Sequence, residues 1–162
     1  KMKNSGHEIA NHGYFHKDHK KLDYENNKKE IQLTGTIIKA LSGKDPTLFA
    51  PPSGSFSNLT LESAYDLGYK VIMWSKDTID WRDKDASLVY TRATKNIQAG
   101  MFVLMHPMEH TLQALPNILK EYKKQGIYKK SENIFAKNVW TRQRLYATIT
   151  VKILLRRKIL NE

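Results

Sequence analysis

Three short apolar runs limit the fold of this sequence more than any other feature. TLFA (47–50), KVIMWS (70–75) and MFVLMH (101–106) are each too short for a helix and rich in β-branched or aromatic residues, as buried strands are. Helical patterns lie between and around them. Residues 22–42 carry Ile31, Ile37, Ile38 and Leu41 ahead of Gly43, and residues 58–67 carry Leu61, Ala64, Tyr65 and Leu67 ahead of Gly68. ASLVYTRATKNIQAG (86–100) ends at Gly100, and TLQALPNILKEYKKQG (111–126) starts with Thr111 as a cap and ends at Gly126. Alternating strand and helix predicts parallel βα units, whose functional residues gather at the C-terminal ends of the strands.

The residues just past those ends are chemically distinctive. PPSG follows the first run, KDTIDW follows the second, and His106 with Pro107 closes the third. Upstream, His7, His12, His16 and His19 place four of the chain's six histidines within thirteen positions, in the run SGHEIANHGYFHKDH. Imidazoles four residues apart, as His12 and His16 are, can face the same way across one turn. Neutral imidazole is the commonest side-chain ligand for zinc, and a catalytic zinc usually takes three protein ligands and keeps one position open. The metalloprotease motif HExxH is not met, because the histidine after His7 comes one position too late. Ordinary solvated or hydrogen-bonded histidines on a polar loop are the competing reading.

Composition sets outer limits. With 162 residues, 40% of them hydrophobic, one globular domain with a substantial core is expected. Because cysteine is absent, histidine and carboxylate must carry any metal. The polar start KMKNSGHE has no signal-peptide pattern. The longest apolar-rich stretch, ITVKILLRRKIL, is broken by charges well short of the ~20 residues a membrane span needs, so the chain reads as soluble. The net charge of +11 would ordinarily point to nucleic acid, yet residues 136–162 hold seven Lys or Arg against one Glu and so carry more than half of it. No nucleic-acid partner is expected, and 136–162 is set apart as a basic extension.

Four motifs in order, GHEIANHGYFH, APPSG (50–54), DTIDW (77–81) and LMHP (104–107), resemble the polysaccharide deacetylases of the NodB-homology type, carbohydrate esterase family 4. That family shows a GHEIGNHTYTH-like element, then R-P-P-Y-G, D-x-x-D-W and L-x-H-P. The resemblance covers about residues 1–130, with 1–135 taken as a partial domain. It implies an α/β fold, an incomplete distorted (β/α) barrel of parallel strands with outer helices, located outside the cell or at its surface. By the same resemblance His12 and His16 are metal ligands, His106 is the general acid and Asp80 the carboxylate that orients it. Ser53 would offer its backbone N–H to an oxyanion, Trp74 and Leu104 would line a pocket for the acetyl methyl group, and Trp81 would border the substrate. The implied cofactor is zinc or another divalent metal, and the implied partner an N-acetylated polysaccharide such as peptidoglycan or a chitin-like polymer.

Taken singly, each of these residues has an ordinary explanation. Trp74 and Leu104 on apolar strands would be core, and Asp77 and Asp80 would cap a turn. The ordered set is what points to a site; His7, His19 and His110 stay with the ordinary explanation. The sequence also departs from the family pattern: a T-F-D-D-G-P strand, source of the base and the third metal ligand, would lie upstream of Lys1. Ala50 and Ser53 stand where the family has arginine and tyrosine, and Gly13 replaces a Ser or Thr. Weak metal binding and impaired activity follow as expectations. The alternatives are a non-catalytic carbohydrate-binding relative and a binder of anionic surfaces acting through the basic extension.

Overall fold

A computed structural model describes residues 7–127 together with two short strands, β6 (Leu145–Thr148) and β7 (Ile153–Leu155). The rest of the basic extension lies outside the described residues. The chain divides into two compact units, one built mainly on residues 8–73 and the other beginning at Trp74.

In the first unit, strand β1 (Glu8–Ala10) leads into Asn11, which forms a parallel bridge with Phe49. Strand β2 (Leu48–Phe49) pairs in parallel with β3 (Lys70–Val71), Leu48 opposite Lys70. Helix α1 (Tyr24–Ser42) starts where the Asp23 carboxylate accepts the Asn26 N–H, and stops at Gly43 in the left-handed conformation. Helix α2 (Asn58–Asp66) starts at a capping box of Ser57 and Thr60. Ile31, Phe49 and Ala64 form the core between them, with Leu67, Tyr69 and Val71 against it. Of the apolar positions expected to seat α1, only Ile31 and Ile38 are buried, whereas Ile37 is partly exposed and Leu41 is 73% exposed.

In the second unit, strand β4 (Lys76–Asp77) pairs in parallel with β5 (Val103–Leu104), with Asp77 opposite Leu104. Of the expected strand 70–75 only Lys70 and Val71 form a strand; β4 lies just past its end, in the KDTIDW run, and has a different partner. A four-residue helix, α3 (Asp80–Asp83), precedes α4 (Ala86–Thr94), which the Asp85 carboxylate caps through Ser87 N–H and Leu88 N–H. Helix α4 ends six residues before the expected stop at Gly100. Past it the chain turns through Asn96 at φ 53° and buries Ile97 in the core. Helix α5 (Glu109–Lys124) begins three residues earlier than expected, with Met108 rather than Thr111 at its cap. Val89, Ala93, Val103, Met105, Ala114, Ile118 and Tyr122 form the core that joins α4, β5 and α5. No helix among the described residues is long and apolar enough to cross a membrane.

Candidate active site

The histidine loop of the first unit is held from three directions. Asn11, fully buried, accepts the Gly13 N–H at 2.9 Å and donates to the Ile31 carbonyl at 2.7 Å and to the Tyr69 hydroxyl at 3.2 Å. Glu30 is 3% exposed and accepts the backbone N–H of Tyr14 at 3.1 Å and of Phe15 at 2.8 Å, with Lys17 beside it at 3.4 Å. Its burial is tolerable because charged acceptors make the strongest backbone hydrogen bonds. Ser55 then ties the PPSG turn to the loop by donating to Asp18 at 2.5 Å.

Within this frame the buried His12 donates from Nδ1 to the Ala50 carbonyl at 2.6 Å, which puts the ring's remaining lone pair on Nε2. His16, exposed and in the left-handed region at φ 55°, brings its ring centroid to 5.0 Å from that of His12. Ser53, also exposed and left-handed at φ 54°, sits in the turn after β2, where the turn bonds come from Gly54 and Ser55 rather than from its own N–H. Gly13 is required here, because at φ 75° a Cβ would come 2.8 Å from His19 Nε2 and 3.3 Å from Pro52 Cγ. His19 is buried and donates from Nδ1 to Asn27 Oδ1 at 2.7 Å. Burial pushes its pKa down, more strongly than Asn27 and the charges of Glu30 and Asp18 push it up. It serves packing, in line with its ordinary reading.

The second unit carries the other set. Asp80 is fully buried at the start of α3, and both carboxylate oxygens are used. Oδ1 accepts the His106 ring from Nδ1 at 2.6 Å; Oδ2 accepts the His106 backbone N–H at 2.6 Å and the Thr111 hydroxyl at 2.8 Å. Burial raises the Asp80 carboxyl, but the hydrogen bonds from the His106 ring, the His106 N–H and Thr111 outweigh it and hold it below the usual carboxylate range. With Nδ1 committed to Asp80, the Nε2 edge of the partly exposed His106 is the one available for proton transfer.

The backbone that presents Asp80 is strained. Ile79 is β-branched yet left-handed at φ 53°, a conformation that costs about 1–3 kcal/mol. Asp77 offsets part of it by accepting the Ile79 N–H at 2.8 Å, and Thr78 donates to the Leu104 carbonyl at 2.8 Å. Asp83, at the end of α3, is paired with Arg82 and Arg92 and held down to about 2.

Of the expected residues, the structure brings together His12, His16 and the Ser53 turn in one unit, and Asp80 with His106 in the other. Leu104 is 3% exposed, Trp74 is half-buried and Trp81 is 51% exposed. Sequence reading missed Asn11, Glu30, His110 and Thr111. Only Thr111 left a signal, and that signal pointed to a helix cap. A third metal donor is not among the described residues: no group of three or more His, Asp or Glu side chains there could hold an ion. The two imidazoles suit zinc in donor type and, for His12, in tautomer, but fall one short of the three usual at a catalytic zinc.

Comparisons with known proteins find polysaccharide deacetylases and relatives of them. The family model described as polysaccharide deacetylase matches residues 1–72. The uncharacterized protein YlxY of Bacillus subtilis is 36% identical over 126 residues, 78% of this chain and 40% of that protein. A peptidoglycan-N-acetylglucosamine deacetylase of Bacillus cereus is 32% identical over 132 residues, 75% of this chain and 59% of the enzyme. Among solved structures, a CE4 family pseudoenzyme from Bacillus anthracis is 35% identical with a TM-score of 0.73, over 76% of this chain and 44% of that one. A mutant of that pseudoenzyme with restored enzymatic activity matches with a TM-score of 0.74. The chain thus spans about half the length of the curated relatives it matches.

Proposed function

The chain belongs, over the part it spans, to the polysaccharide deacetylase family, and from that premise we propose that it carries part of the site for metal-dependent hydrolysis of N-acetyl groups on a polysaccharide, in impaired form. The substrate class is an N-acetylated glycan of the peptidoglycan or chitin-like kind, which places the reaction outside the cell or at its surface. The observation that carries this reading is the buried Asp80 carboxylate, which fixes His106 by ring and by backbone.

Amide hydrolysis forms a C–O bond from water, whose proton would go to the base that the family's Asp-Asp strand supplies, breaks the C–N bond and needs a proton on the departing amine nitrogen. His106 supplies that proton from Nε2, and Asp80 stabilises the imidazolium that precedes the transfer. His12 and His16 would hold the divalent metal, zinc by donor type, whose chemistry when bound is to activate water and polarise the acetyl carbonyl. The Ser53 N–H is the candidate donor to the oxyanion, a role its side chain does not affect. Trp74 and Leu104 would receive the acetyl methyl group, and Trp81 would border the sugar.

A second reading, a non-catalytic carbohydrate-binding relative, is favoured by Ala50 and Ser53 at the positions of the family's arginine and tyrosine. It is favoured also by the likeness to a pseudoenzyme. Incubating the chain with insoluble peptidoglycan separates the two. Pelleting with the polymer together with slow acetate release supports the first reading. Pelleting without any acetate, also when zinc is in excess and Ala50→Arg is introduced, supports the second.

A further inference from the structure

We propose that His110 and Thr111, consecutive residues in the first turn of α5, are positioning residues for the Asp80 and His106 pair. The inference rests on the reading of His106 as proton donor and extends it to the parts that aim the donor. The two side chains grip one residue at two places. His110 donates from Nε2 to the Asp80 main-chain carbonyl at 2.7 Å, and Thr111 donates to its carboxylate at 2.8 Å.

Each contact removes a different freedom. Helix α3 has only four residues and follows the left-handed Ile79, so it gives Asp80 little support of its own; His110 supplies it from another helix. Thr111, 2% exposed, shares Oδ2 with the His106 N–H and so stops the carboxylate from rotating about its terminal bond. Oδ1 is then left facing the His106 ring, and the ring keeps its proton on Nδ1. A hydroxyl inside a helix would otherwise bond back to its own backbone. Thr111 instead aims across to Asp80, 31 residues away in sequence. A donor held by a buried, doubly anchored carboxylate is pre-aimed before substrate arrives, as a proton transfer within hydrogen-bond reach requires.

The test is nitrogen-15 NMR of the histidine rings in the full chain at neutral pH, with His106 assigned through His106→Gln. Wild type is expected to show a slowly exchanging, downfield His106 Nδ1 proton held by Asp80. Thr111→Val, which keeps the shape and removes the hydroxyl, is expected to broaden that proton away, and Thr111→Ser to restore it. An unchanged His106 signature in a folded Thr111→Val would overturn the assignment. If Thr111→Val does not fold, His110→Ala decides in the same way, because it deletes the bond to the Asp80 carbonyl at a partly exposed position. In a chain with measurable acetate release, Thr111→Val should lower kcat about tenfold or more with KM held. Since the primary readout is a ring proton, a chain that never releases acetate would count against the proposed function and leave this assignment standing.

Discussion

Replacing Asp80 with Asn keeps the side chain's shape and removes its charge, so it tests how much of the second unit depends on one buried carboxylate. Three donors converge on that group: the His106 ring, the His106 N–H and Thr111. Asn retains one acceptor oxygen, and two of the three donors share Oδ2, so the amide nitrogen settles in the place of Oδ1 and faces the ring. The ring bond, worth ~1.5–3 kcal/mol to a charged acceptor, is lost or forces His106 into its other tautomer. The two bonds at Oδ2 weaken by roughly half as the charge goes. Relief from burying a carboxylate returns part of this, leaving a net loss of about 2–3 kcal/mol. In urea that is a fall of about 1 M in the unfolding midpoint. The pH profile supplies an independent check. Because the folded Asp80 lies below its ordinary 3.8, its contribution is complete above 3.8 and disappears as pH falls toward the folded value. The gap between wild type and Asp80→Asn should therefore persist above 3.8 and close on acidification below it. A variant within ~0.5 kcal/mol of wild type, or a gap that does not close in acid, would refute this account of the site.

Other consequences are open to measurement. Glu30→Ala should cost about 2 kcal/mol by urea unfolding, since two backbone bonds to a charged acceptor are lost and solvent compensates the exposed Tyr14 and Phe15 only partly. His19 is held neutral below its ordinary 6.5. The unfolded chain thus takes up its proton first, and stability should be full above 6.5 and decline as pH drops below it; His19→Gln should flatten that slope in urea midpoints. Zinc titrated calorimetrically should bind weakly, dialyse away, and lose its signal in His12→Ala or His16→Ala; tight stoichiometric zinc that survives dialysis would contradict a two-imidazole site.

The βα order is written locally, in apolar runs, whereas the Asp80 and His106 pair was legible only through the family resemblance of the ordered motifs at strand ends. What the sequence hid depends on partners distant along the chain. KVIMWS reads as one strand, and nothing in six residues tells that pairing with β2 stops at Val71 and that the next strand, Lys76 and Asp77, lies past the run and pairs with β5. Thr111 before an apolar periodic segment has the pattern of a cap. Its hydroxyl is drawn instead to a carboxylate 31 residues upstream, and the helix begins at Glu109. In α4 the pattern runs on to Gly100, but burying Ile97 in the core wins over continuing the helix, and the chain turns at Asn96. Glu30 was illegible for a similar reason: a charged residue in a helix reads as solvated until the loop it holds is placed above it.

Acetate release from an N-acetylglucosamine oligomer tests the proposed function most directly. It is measured with zinc present for the chain joined in frame to the segment that precedes the matched region in a curated deacetylase relative. Slow release is expected, reduced at least a hundredfold by His106→Ala, the order of loss that follows removal of a general acid. A joined chain that folds and binds zinc yet releases no acetate, or releases it equally with His106→Ala, would contradict the assignment of His106 and Asp80 as the proton-donor pair of a polysaccharide deacetylase.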